Sequence, residues 1–387
     1  MEDEKRNSSK SSIVKFLIFL LVVFGLATIF ARYLINDEFR SEVDTRFLNK
    51  EISENETKFI EINSDTNPQV YAYSKYIAVL NKSVLSIYNQ DSVQINKLDI
   101  DITTPYADSN DKYLAIAEKE GNQIYLICNT EMKWNKEVEG DIYRVCINKN
   151  GYVTVLLKNT TYSSIVIVFD TEGNELFRTY LAKNYAICAE ISDNNKYLAI
   201  GQIDYSGTIV KSVVKLISME IAQQNPGESI LNTYESESSK ILNNIVFNTK
   251  NEAICMFDSY IQKVTELSDE RIYDIINNDI FVDINLRNSI AIIEKENSGL
   301  FSYEYQLNLK NTEGKSDNLY ILEKEIPKVL YVKKDLICLN LVGEVRIINS
   351  SGWLLKRYKT NSEIQKIVIG DNIIGIVYNN KIEIINL

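Results

Sequence analysis

The chain has 387 residues, 53 acidic against 42 basic, giving a formal net charge of −11, and it contains no histidine. The acidic balance disfavours nucleic acid, whose binders need a basic stripe to displace counterions, and equally disfavours tight contact of the whole chain with anionic lipid. Without histidine there is no His-dependent triad, no His-ligated zinc or haem and no imidazole switch, while an apolar share of 45% is ample for a packed core.

A polar tail, residues 1–12, precedes an apolar run over residues 13–35 that is uncharged from Phe16 to Ala31. With Lys15 and Arg32 snorkelling at its ends, the run is long enough for one transmembrane helix. Gly25 and Ala27 offer a cleavage site, but apolar residues continue through Ile35, so an uncleaved signal anchor is expected. Flanking cations are nearly even: Lys5, Arg6, Lys10 and Lys15 before the run, Arg32, Arg40, Arg46 and Lys50 after it. The positive-inside rule is therefore silent. The short N-terminal tail places the remainder outside the cytoplasm. Residues 36–56 read as a juxtamembrane helix and linker, with Phe39, Val43, Phe47 and Leu48 on one stripe that rests on the following domain or serves as an oligomerisation or lipid-surface face.

Across residues 57–387 one phrase recurs: a turn, a short apolar strand, then a second strand. Clear copies begin at Ser74, Asp111, Asn150 and Asn195, weaker ones at Asn251, Asn288, Asp335 and Asn372. They lie roughly 40 residues apart, with one stretched interval before Asn251, which is the spacing of β-propeller blades. Eight blades are expected, or seven if the weak fifth or sixth unit is miscounted. In the third unit, residues 142–148, 152–157, 163–170 and 175–181 read as strands from the axis outward. The last unit holds only three strands, and the isolated strand over residues 57–63 is the expected fourth, closing the ring from both ends of the domain. The expected fold class is all-β: one closed propeller preceded by one transmembrane helix and a short juxtamembrane helix.

Candidate chemistry is sparse. Cys128, Cys146, Cys188, Cys255 and Cys338 each sit in an apolar strand phrase without CxxC spacing, and so read as small buried hydrophobes. The acid-rich run from Asp99 to Asp111 fails as an EF-hand loop, having Thr104 where glycine is needed and Asn110 where a bidentate glutamate is needed. Its later residues read as turn. Asp101, Glu190 and Asp283 are inner-strand acids that would face the central channel and are the carboxylates available for glycoside hydrolysis. Tyr162, Tyr205, Tyr260, Phe301 and Tyr303 recur at the loop entering the third strand of four consecutive blades. Exposed, they would form a recognition face; alternatively each ring packs over its own hairpin. With no Gly-rich phosphate loop, nucleophile elbow or dinucleotide fingerprint, no catalytic residue, cofactor or metal is assigned.

The order of parts resembles an uncharacterised, membrane-anchored β-propeller family, a domain of unknown function of clostridia and related Firmicutes. What carries the resemblance is the single span, the short helix ending in Asn49, Lys50, Glu51 and Ile52, and the WD40- or YVTN-like blades. Heavy use of Ile, Asn, Lys and Tyr agrees with it, and it implies no activity. The GH and WD dipeptides of WD40 repeats are absent, and the hairpin from Asp170 to Gly173 lacks the tryptophan of quinoprotein-like repeats. The expected role is a membrane-tethered, non-enzymatic binding, scaffold or sensor module at the cell envelope, partnered by the bilayer through residues 13–35 and by a protein or glycan on one propeller face. The alternatives are an extracytoplasmic enzyme using channel carboxylates on carbohydrate or cell-wall substrates, and an envelope assembly factor.

Overall fold

Six of the eight repeat phrases open at or beside a residue that turns the chain sharply. Ser74, Asp111, Gly151, Asn195, Asn251 and Lys334 all adopt positive φ, between 48° and 85°. Gly, Asn and Asp enter this region at least cost, which is why they punctuate the sequence between inner and second strands.

The computed structural model describes residues 20–33, 58–297, 303–313 and 317–387. Its strands form eight four-stranded antiparallel sheets, the blades of a closed propeller. Blades 1 to 7 occupy residues 69–99, 105–137, 141–181, 184–235, 242–274, 279–323 and 329–359. Blade 8 takes Lys366–Ile369, Ile373–Val377 and Lys381–Asn386 and borrows Lys58–Glu61 as its outer strand. The seam runs from Lys58 opposite Ile384 to Glu61 opposite Lys381, so the ring closes where the three-stranded last unit implied. Ile60 is buried at the seam, and Lys58 pairs with Asp91 of blade 1.

The core lies between blades. Ala115, Leu126 and Trp134 of blade 2 pack with Val145, Val155 and Ile167 of blade 3, and equivalent clusters recur around the ring. Trp134 also donates from Nε1 to the Thr171 carbonyl at 3.2 Å, docking blade 2 on the outer hairpin of blade 3. Gly173 turns that hairpin at φ +79°, and a Cβ there would lie 3.0 Å from the Trp134 ring and 2.7 Å from Lys136. Four cysteines are buried and Cys128 is partly so; all five are free thiols.

Blade 4 holds a helix, Met219–Gln224, in its outer hairpin, which accounts for the stretched interval before Asn251. Ser218 caps it by accepting from the Ile221 amide at 3.3 Å, while Met219 and Ala222 are buried beside blade 3.

Residues 20–33 are helical, with Leu21, Phe24 and Phe30 exposed. No helix among the described residues is long and apolar enough to cross a membrane. The rest of the expected span, residues 13–19 and 34–35, and the juxtamembrane stretch 36–56 lie outside the described residues.

Candidate functional site

Two places on the propeller gather side chains beyond what packing requires. The first is an aromatic cluster on the rim of blades 3 and 4. Here the chain connects second to third strands by loops of five and six residues, 159–163 and 205–210. Tyr162, partly buried, meets Tyr180 with ring centroids 4.7 Å apart, and Tyr205 meets Tyr185 at 5.8 Å. The Ser163 hydroxyl donates to the Ala182 carbonyl at 3.1 Å and so accepts from the Tyr205 hydroxyl at 3.1 Å, linking the two loops. Tyr180, Tyr185 and Tyr205 remain 48%, 38% and 49% exposed, and Ile209 and Val210 extend the surface.

The other expected aromatics do not join it. Tyr260 is buried, stacked on Phe257 at 4.7 Å, hydrogen-bonded to the Tyr234 hydroxyl at 3.0 Å and covered by the Arg271 guanidinium. The reason is turn length. Blade 5 turns on Asp258 and Ser259 alone, so Tyr260 is already the first residue of the third strand and points inward. Tyr303 is exposed on blade 6, with the Lys295 ammonium 3.7 Å from its ring centroid. Phe301 lies outside the described residues. Sequence reasoning missed Tyr180 and Tyr185, which end one blade and begin the next; two blades had to be paired before their partners in the loops became visible.

The second place is the central channel, a cavity of about 390 Å³ lined by the inner strands of blades 2 to 5 and 7 and by Asn285, Leu286 and Arg287, which follow the inner strand of blade 6. Of the expected channel acids, Glu190 faces it. Asp283 is half-buried and accepts from the Asn285 amide at 2.7 Å; burial raises its carboxyl above the usual range, against those hydrogen bonds. Asp101 is a correction. It is exposed in the connector between blades 1 and 2, and the inner strand of blade 2 is Pro105–Asn110, which brings Asp108 to the channel instead.

Asp108 accepts the Ser109 and Ile147 amides at 2.8 and 2.9 Å. Burial, and then the Asp108 carboxylate, push the Glu190 carboxyl up to about 8 against the pull of Arg144. Lys333 reaches from blade 7 to the Ser109 hydroxyl at 2.7 Å and the Ala72 carbonyl at 3.2 Å. Burial pushes its amine down to about 8, with Asp108 opposing. Arg144 donates to the Ile187 carbonyl at 2.8 Å and Asn244 at 3.4 Å. The sequence signal for this residue was present: Arg144 is the one charge inside an otherwise apolar strand core, Ile142–Ile147. Among the described residues no group of three or more Cys, Asp or Glu is placed to hold a metal ion.

Residues 48–387 match the model of a protein family of unknown function. No curated protein is significantly similar in sequence. Among solved structures, BamB from Moraxella catarrhalis is 9% identical with a TM-score of 0.50, covering 86% of this chain and 100% of its own. The C-terminal WD40 domain of Sif2 is 9% identical with a TM-score of 0.56, covering 86% and 98%. The Dos1 propeller is 10% identical with a TM-score of 0.50, covering 85% and 94%. At such identities these likenesses show the fold alone.

Proposed function

The chain belongs to that family, DUF5711, and we propose that it is a membrane-tethered, non-enzymatic binding module whose partner is a protein docking on the tyrosine cluster of blades 3 and 4. The observation that carries this reading is the set of Tyr180, Tyr185 and Tyr205, exposed yet already held by ring contacts and the Ser163 bond, with Ile209 and Val210 exposed in the same loop as Tyr205. Tyrosines fixed in this way bury area on binding at little entropic cost. The adjoining aliphatic side chains favour a protein over a glycan. Tethering is supported by the uncharged run from Phe16 to Ala31 and by the exposed apolar side chains of the helix over residues 20–33, which call for an apolar surrounding.

The test is the double variant Tyr185→Ala, Tyr205→Ala, captured from detergent-solubilised native cells beside the parent. The reading expects an unchanged melting temperature and loss of the captured protein, since a hot-spot tyrosine contributes about 2 kcal/mol or more to binding. Capture at the parent level by the folded variant would refute it, and so would loss of binding to a purified glycan alone.

Hydrolysis through channel carboxylates rests on Asp108 and Glu190. Asp108 is less suited to that role, because both its oxygens already accept main-chain amides.

A further inference from the structure

We propose that the central channel is a binding site for a small organic anion bearing carboxylate, held by Arg144 and Lys333. The cavity lies apart from the tyrosine cluster, and its size, about 390 Å³, is at the lower end for small-molecule sites.

The case begins with charge. In a chain of net charge −11, five Lys and Arg side chains line this cavity against three Asp and Glu. At its mouth the cations are matched: Lys149 pairs with Asp193 at 3.0 Å and Lys334 with Asp371 at 2.5 Å. Deeper in, the matching stops. Neither Arg144 nor Lys333 has a carboxylate within ion-pair distance among the described residues, and both are held only by carbonyl, amide or hydroxyl oxygens. Arg144 is also short of acceptors, since its Nε is closed off from solvent without a hydrogen-bond partner.

Nearby acids do not make good the deficit. The Asp108 oxygens are taken by the Ser109 and Ile147 amides. Glu190, facing Asp108, has its carboxyl raised, so that near neutrality it is largely uncharged. Asp108 acts on Lys333 from beyond ion-pair distance, and two cations set deep in protein without a carboxylate in direct contact are costly unless an anion completes the site. Both cations are hydrogen-bond donors, and a carboxylate accepts charge-assisted bonds from either; a polyamine would meet the reverse charge.

The test uses the full chain in detergent micelles, titrated with sodium acetate, succinate and citrate up to about 10 mM at neutral pH, with spermidine as the opposite charge. Calorimetric heat and melting temperature are read together. The proposal expects saturable binding and a raised melting temperature with at least one carboxylate, weakened about tenfold or more in Arg144→Gln and in Lys333→Met. Lys333→Met keeps the stem and removes the charge, so a folded variant is available if Arg144→Gln is unstable. No response to any of the three anions would overturn the proposal. It is also overturned by undiminished binding in folded Lys333→Met, or by binding of spermidine in their place.

Discussion

Replacing Glu190 by glutamine removes a charge from the channel while keeping the shape of the side chain. The folded carboxyl titrates at about 8 against an ordinary 4.5, so the folded state holds a proton that the unfolded chain gives up. Stability from this group is fully present below about 4.5 and is lost as pH rises towards 8. At roughly 1.36 kcal/mol for each pH interval of one, the full displacement corresponds to about 5 kcal/mol. The carboxyl lines a cavity rather than closed core, and local relaxation around a buried charge reduces that to about 2 kcal/mol. Urea unfolding of parent and Glu190→Gln at pH 5 and pH 8 is the assay. The two should be nearly equal at pH 5, with the variant more stable by about 2 kcal/mol at pH 8. Lys333 does not confuse the comparison, since its displacement acts above about 8. Parallel pH dependences in the two proteins would show that Glu190 is solvated as an ordinary surface acid, and the charge reasoning for the channel would fall with it.

Lys333→Met should lose the gain in stability that the parent shows between about pH 8 and 10.5, because over that window the unfolded chain binds the proton and the folded one does not; urea midpoints at both ends check it. Trp134→Ala should destabilise by about 3 kcal/mol or more, as it vacates the contact with the blade 3 hairpin, and a melting curve within 2 °C of the parent would refute that docking role. Deleting residues 57–63 should expose the edge of Lys381–Asn386 and cause aggregation or broad melting, whereas unchanged cooperative unfolding would show the seam to be dispensable. The full-length chain should stay with membranes through a carbonate wash, and a soluble product beginning near Thr28 would refute the anchor.

Much of the architecture could be read before any coordinates because a propeller repeats its errors as well as its signals. Weak copies such as the one at Asn288 inherit credibility from strong ones such as Asn195, and a three-stranded last unit announces a missing strand. The helix Met219–Gln224 had no such support; six residues give too little period to tell helix from hairpin. Asp108 was misread because the inner strand of blade 2 begins only at Pro105, and Tyr260 because its blade turns on two residues. Whether a side chain faces the core, the rim or the channel changes with a shift of one residue, and local turn length sets that shift. The tyrosine pairs across blades 3 and 4 and the long reach of Lys333 depend on distance in space between segments far apart in the chain.

The seam has a consequence for the making of the protein. Glu61 and its partner Lys381 are 320 positions apart. At elongation rates of roughly 5–20 residues per second, the first strand waits about 15–65 s for its partner to emerge. Throughout that interval it is a free ribbon of β-structure beside seven sheets that can already stack. Its correct partner is then in competition with the equivalent edge of any neighbouring nascent copy. Crowded synthesis should therefore yield molecules that have traded first strands, two rings each sealed by the other's ribbon, and dilution after unfolding should return single rings.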